Sequence, residues 1–260
     1  MKRTDSGKIK KAAIIFAKGA ISLLFWIAVW HVASAAVNKE ILLPSPYVTF
    51  EHLTELLSSP EFFKACGISL LRIMAGFLAG CVTGAVLAVV CHALPFFEIL
   101  LTPMKATVKA TPVASFIIIA YMWMSKSEIP GFISALIVIP IVWSNVKAGL
   151  ENVDTKLLEV GKVFRFSPVK YIKYIYYPSI KPYFAASAIT GIGLAWKSGI
   201  AAEVLVVTRD GIGFLLYEAK NYFESADLFA ITLVIILISL IIEKAFDKWM
   251  KGRRDNRDKA

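Results

Sequence analysis

Long apolar runs alternate with short charged ones along this 260-residue chain. Residues 19–38 and 73–97 hold no Asp, Glu, Lys or Arg. Two shorter charge-free runs, 110–125 and 129–146, are parted by Lys126, Ser127 and Glu128, and 182–196 and 228–242 complete the series. A helix rising 1.5 Å per residue needs about 20 apolar residues to cross ~30 Å of hydrocarbon. The pattern therefore predicts an all-α integral membrane protein of about six crossing helices, or five if the first is peripheral. Between the first two runs, Leu43-Pro44-Ser45-Pro46 breaks the chain, and Tyr47, Val48, Phe50, Leu53, Leu56 and Leu57 then recur at helical spacing. That segment reads as a short amphipathic helix on the outer membrane surface.

Composition agrees: 57% of residues are AVILMFWYC, only 18% are charged, and mean hydropathy is +0.66. Such a chain is neither disordered nor a disulfide-stapled secreted domain. The net charge of +10 suggests nucleic acid until the basic residues are located. Segments 1–18, 98–109, 147–181 and 243–260 together carry 22 of the 29 Lys and Arg residues. The segments on the other side, 38–64, 126–128 and 197–227, sum to −4. Positive residues stay inside, which places both termini in the cytoplasm and turns the excess charge into a signal of topology. No nucleic-acid partner is expected. The basic start and first apolar run read as an uncleaved signal-anchor helix, because the run is long for a cleavable signal.

Residues 1–18 are read as a cytoplasmic basic N-terminus, 19–64 as the first crossing helix with the outer amphipathic segment, 65–250 as a core domain, and 251–260 as a cytoplasmic basic tail. Enzymatic chemistry finds no support. His31, His52 and His92 are far apart, and HExxH, GxSxG and P-loop patterns are missing. Cys66, Cys81 and Cys91 have no CxxC spacing and read as small packing residues, so no metal or cofactor is expected. Gly76, Gly80 and Gly84 stand four apart on the second run, a groove for another helix either within the bundle or on a second subunit.

The basic segment 147–181 is too long for a tight hairpin. Asp154 can cap a helix from Thr155 to about Phe164. Ser167-Pro168 then supplies a cap and first-turn proline for a second helix that Pro178 ends. Val169, Ile172, Ile175 and Tyr176 fall on one face of it. This cytoplasmic helix-turn-helix thus has an apolar face, to be covered by the inner end of the bundle or by a partner protein.

Within this loop the sequence resembles the signature of ABC importer permease subunits: Glu-Ala-Ala, three residues, Gly, nine residues, Ile-x-Leu-Pro. Glu159, Ile175 and Pro178 stand in register; Val160 and Gly161 replace the alanines, Arg165 the glycine and Tyr177 the leucine. A glycine at that turn tolerates positive φ, where arginine costs on the order of 1 kcal/mol. The substitution implies either a differently built turn or a glycine not needed for φ. Further elements resemble the nitrate/sulfonate/taurine-type permeases (binding-protein-dependent transport system inner membrane components): Leu43-Pro44-Ser45-Pro46, Ser69-Leu70-Leu71-Arg72 with Gly76-Phe77, Leu194-Ala195-Trp196-Lys197-Ser198 with Ala202-Glu203, and Gly211-Ile212-Gly213. The resemblance covers about residues 40–250.

It implies a type I ABC importer permease fold in the plasma membrane. Two permease chains, expected to be a homodimer, would form the pathway. Separate ATP-binding subunits would carry the ATP and its hydrolysis, and an extracytoplasmic substrate-binding protein would deliver the cargo. Glu159, Val160, Gly161, Arg165, Ile175 and Pro178 would form the ATPase-coupling element. The cargo would be a small anion such as a sulfonate, taurine or nitrate, or a pyrimidine-type vitamin precursor. Arg72, Lys109, Lys197 and Glu203 are ionisable residues in or near the spans. With Trp196 and Ser198, three of them, Arg72, Lys197 and Glu203, are the candidate pathway residues; Lys109 reads as an interfacial anchor, and Lys197 paired with Glu203 is the structural alternative. A gradient-driven secondary transporter is the competing class, and a membrane scaffold a third. Such transporters place acids inside their spans, and here only Glu203, at a span edge, qualifies.

Overall fold

A computed structural model describes the backbone of residues 3–255 and the side chains of residues 17–250. The readings of 251–260 as a basic tail and of most of 1–18 as a basic N-terminus lie outside the described side chains. Among the described residues there is no β-strand. The helices are α1 (Arg3–Val37), α2 (Pro46–Leu56), α3 (Pro60–Ala93), α4 (Pro95–Ala110), α5 (Val113–Tyr121) and α6 (Ile129–Glu151). There follow α7 (Thr155–Val163), α8 (Pro168–Tyr171), a π-helical turn (Ile172–Tyr176), α9 (Tyr177–Val206), α10 (Ile212–Asn221) and α11 (Ser225–Asp255).

Five stretches are long and apolar enough to cross a membrane: Ala17–Val37, Pro60–Ala93, Ile129–Glu151, Pro168–Val206 and Ser225–Met250. The sixth expected run, 110–125, contains α5, whose nine residues reach only about 14 Å and do not cross alone. Its break is at Thr111, which is extended with ψ 133°, because Pro112 excludes the helical region for its predecessor. Segment 98–109, read as a loop, is instead most of the amphipathic α4.

The chain divides into two compact units, residues 1–59 with 218–233 and residues 60–217 with 234–260. In the first, Ser45 caps α2 by accepting from the Val48 N–H. Trp30 Nε1 donates to the Pro44 carbonyl at 3.0 Å and Ser34 Oγ to that of Leu43 at 2.9 Å, fixing the proline-rich turn on α1. Trp30 stacks on Phe229, and His52 Nδ1 lies 2.7 Å from Asp227.

The second unit is built around α3, α6 and α9. Gly76, Gly80 and Gly84 face α6: a Cβ on Gly76 would collide with the Gly131 carbonyl, one on Gly80 would lie 2.8 Å from the Ala135 oxygen, and one on Gly84 2.7 Å from that of Ile139. The three glycines therefore serve helix contact inside the chain, and the subunit-contact alternative has no free face left to use. Lys147 of α6 pairs with Glu98 of α4 and, at 2.8 Å, with Glu151. Gly80→Leu is expected to destabilise the protein by about 3 kcal/mol through overpacking. Gly67→Ala, where a Cβ meets nothing within 4 Å, is expected to be neutral or to gain up to ~1 kcal/mol in helix propensity. Thermal unfolding of the two variants in one detergent checks both.

Candidate functional site

Two constellations emerge, at opposite ends of one long helix. The first is the loop of α7 and α8. Asp154 caps α7 as expected, accepting from the Lys156 N–H at 2.9 Å. The turn after it is a Schellman arrangement: the Phe166 N–H reaches the Gly161 carbonyl at 2.9 Å and the Arg165 N–H that of Lys162 at 3.1 Å. Arg165 sits at φ 49°. Both sequence-based alternatives for Arg165 are thereby corrected: the turn is built as a glycine would build it, and the arginine adopts the left-handed conformation itself. Gly161 is buried beneath the Tyr171 ring, which a Cβ would approach to 2.7 Å, and the same ring packs edge-on against Phe166.

Ser167-Pro168 opens α8, but Pro178 does not end the helix. The π turn absorbs it: the Tyr177 N–H bonds back five residues to the Ile172 carbonyl. Widening the coil in this way relieves the clash that a proline ring makes with the carbonyl four residues earlier. α8, the π turn and α9 consequently run on as one 39-residue stretch, about 58 Å long, far more than the hydrocarbon requires. The expected apolar face divides. Ile175 is buried against the bundle, whereas Val169 and Ile172 are 72% and 62% exposed, and Val163 and Phe164 of the preceding turn 79% and 71%. Glu159 and Val160 are exposed beside them.

The second constellation surrounds Glu203, which is completely buried near the end of α9. Arg72 of α3 donates to its Oε1 at 2.9 Å, Ser69 Oγ to its Oε2 at 2.7 Å, and the Gly213 N–H to Oε2 at 3.1 Å. Ser69 Oγ also accepts from the Ile212 N–H at 2.9 Å. The start of α10 is thus pinned onto α3 through one carboxylate. Gly211 allows that approach, since a Cβ there would stand 2.6 Å from Oε2. The linker is strained: Val207, a β-branched residue, sits at φ 53° and Asp210 at φ 71°. Thr208 Oγ1 holds it by donating to the Lys126 carbonyl at 3.0 Å.

Of the candidate pathway residues, the structure brings Arg72 and Glu203 together and keeps Lys197 apart. The Lys197–Glu203 pair is corrected: six residues on a continuous helix put the two on different faces, and Glu203 takes Arg72 instead. Trp196 is buried and donates to the Ile235 carbonyl at 3.1 Å. Ser198 is buried and bonds back to Leu194, while Lys197 is exposed. Lys109 donates to Ser144 Oγ at 3.3 Å. Sequence reasoning did not single out Ser69 or the Ile212 and Gly213 amides as partners of Glu203, although each lies within a quoted motif. It also counted Glu243 with the basic segment 243–260, whereas Glu243 is an acid inside α11.

Residues 61–251 match the family described as binding-protein-dependent transport system inner membrane component. The chain belongs to this family. It is a permease subunit of an ABC importer and a multi-pass membrane protein. It is 26% identical over 237 residues to the nitrate import permease protein NrtB of Synechocystis, covering 86% of this chain and 84% of that one. It is 25% identical to the putative aliphatic sulfonates transport permease protein SsuC of Bacillus subtilis, covering 90% and 84%. The taurine transport system permease protein TauC of Escherichia coli is 22% identical, with 86% and 82% covered. In fold it is similar to a chain of a bacterial ABC transporter that imports the acidic polysaccharide alginate, with a TM-score of 0.63 at 15% identity, covering 95% of this permease and 98% of that chain. An amino acid ABC transporter chain gives 0.61 at 14%, covering 78% and 97%.

Arg72→Ala leaves a buried carboxylate without its cation and is expected to destabilise the permease by about 3–5 kcal/mol. Glu203→Gln, which keeps an acceptor for Ser69 and removes the charge, is expected to cost less than half as much; thermal unfolding of both variants checks the order. Arg165→Gly is expected to raise stability by up to about 1 kcal/mol and Arg165→Val to lower it, read in the same assay.

Proposed function

We propose that this permease works as one of two identical chains, with both termini cytoplasmic, and that the α7–α8 loop is the seat for an ATP-binding subunit that carries the ATP and its hydrolysis. An extracytoplasmic substrate-binding protein delivers cargo to the opposite face. The observation that carries this reading is the exposed apolar cluster of Val163, Phe164, Val169 and Ile172 on a rigid, capped helix-turn-helix that also holds Glu159 in the family's register. Four large apolar side chains left bare beside lysines are the anatomy of a subunit contact. The orientation rests on the distribution of Lys and Arg.

The cargo reading is a small organic or inorganic anion, such as a sulfonate, taurine or nitrate, with a pyrimidine-type vitamin precursor as its variant; the names of the relatives support the first. Closure of the ATP-binding subunits pushes on α7 and α8. Because α8 continues through the π turn into α9, the push travels along one helix to Glu203 and the start of α10. Two packings of such elements give inward and outward access.

Glu159→Lys is expected to leave membrane insertion intact while cutting ATP-driven uptake about ten-fold, the equivalent of roughly 1.4 kcal/mol of lost subunit contact. Uptake in reconstituted vesicles, with pull-down of the ATP-binding subunit, measures this. Undiminished uptake and co-purification would remove α7 from the docking surface.

A further inference from the structure

At the end of the bundle that carries α7 and α8, the second unit keeps a half-open cavity of about 610 Å³. It lies between the last turns of α3 and α6, the π turn with the start of α9, and the far part of α11. Its volume falls within the roughly 300–1,000 Å³ of ligand sites. Leu150 and Phe184 are typical of its walls, which are almost wholly apolar, while His92, Tyr176, Lys181 and Trp249 bring the few polar atoms. No carboxylate lines it.

The level of the cavity narrows what fills it. Lys181 stands immediately before the charge-free run 182–196 of α9, and His92 lies near the end of the run 73–97 on α3. The cavity therefore straddles the depth at which hydrocarbon gives way to headgroups. Tyr and Trp are enriched at that depth, and lysine stems snorkel to it. An apolar space offers water few partners, so hydrocarbon is its natural filling. The polar end of that hydrocarbon has to answer a cation, because Lys181 is half-buried and forms no ion pair among the described residues. A zwitterionic headgroup would bring an ammonium towards Lys181, whereas an anionic one brings the phosphate alone.

We propose that this cavity binds an anionic phospholipid from the leaflet on the α7–α8 side, with an acyl chain in the apolar cleft and the phosphate against Lys181 and His92. Tyr176 belongs to the π turn, a widening of the helix often found at functional sites, so the lipid braces the wall where α8 passes into α9. The site depends neither on which cargo is carried nor on where an ATP-binding subunit sits.

The test uses the complete transporter, purified in mild detergent and stripped of lipid, and native mass spectrometry during titration with palmitoyl-oleoyl phosphatidylglycerol or phosphatidylcholine. The tightest phosphatidylglycerol per permease chain is expected to bind about five-fold more strongly than phosphatidylcholine, the effect of one cation near the membrane surface. Lys181→Ala should abolish that preference. Lys244→Ala removes an exposed charge on the face of α11 away from Trp249 and Met250 and should retain it. Ala93→Trp, which fills the cavity, should weaken both lipids. A phosphatidylglycerol with a diazirine in its acyl chain should label segments 89–93 and 172–184 in the wild type and spare them in Ala93→Trp. Equal affinity for the two lipids overturns the proposal, as does a preference lost equally in Lys181→Ala and Lys244→Ala. Labelling confined to other segments places the lipid elsewhere and overturns it too. A cross-link from Ala93→Cys to an ATP-binding subunit makes the cavity a protein contact, with the same consequence.

Discussion

The charged contact on which the second unit turns is that of the Glu203 carboxylate, sealed from solvent and held by Arg72, Ser69 and a backbone amide. An ionised group in such a place is tolerable only while every donor stays in position. The sequence around it follows from that demand. Ser69 and Arg72 stand three apart, so one side of α3 presents both donors. Gly211 and Gly213 have no side chains because the carboxylate occupies the space. The backbone between α9 and α10 accepts left-handed residues at Val207 and Asp210, and strain of this kind persists only where the surroundings over-determine it. Buried ion pairs are weak contributors to net stability. This one is better understood as fixing which residues meet: it admits a single register of α3 against α9 and a single path for the chain into α10.

That register matters because of what lies at the other end of α9. The π turn at Ile172–Tyr176 converts a helix-breaking proline into a continuation, so that α8, far outside the charge-free run, is continuous with the helix that carries the buried carboxylate. A kinked or broken junction would dissipate a push on α8 before it reached the bundle. The continuous helix, the close α3–α6 contact through Gly76, Gly80 and Gly84 and the pinned α10 belong to one closely packed unit. A dense interior transmits displacement for the same reason.

The sequence revealed local chemistry well and distant chemistry poorly. The caps at Ser45 and Asp154 were legible because a capping side chain serves amides two or three residues away. The glycine stripe was legible as a groove, though its occupant, α6, was not. Arg72 and Glu203 were each marked by being ionisable near a span, yet 131 positions separate them, and Lys197 was the nearer-looking partner. Run length misled at the third apolar stretch. The 110–125 run conceals the break that Pro112 imposes on Thr111, a signal that was present and outweighed by hydropathy. Pro178 was read by its usual effect, and the π turn that rescues it is set by packing rather than by a local pattern. Glu243 was counted with the basic segment 243–260 because it terminates a charge-free run, where a carboxylate marks a boundary unless a glycine on a facing helix makes room for it.

Glu203 and Glu243 show how the same side chain takes two roles in one bundle. Glu203 has a guanidinium, a hydroxyl and an amide on its two oxygens and no solvent access. Glu243 has a single hydroxyl among the described residues. A fully satisfied buried charge specifies structure; an incompletely satisfied one keeps capacity to bind. By that criterion the Arg72–Glu203 pair, although its residues are ionisable and sit in spans, belongs to the scaffold.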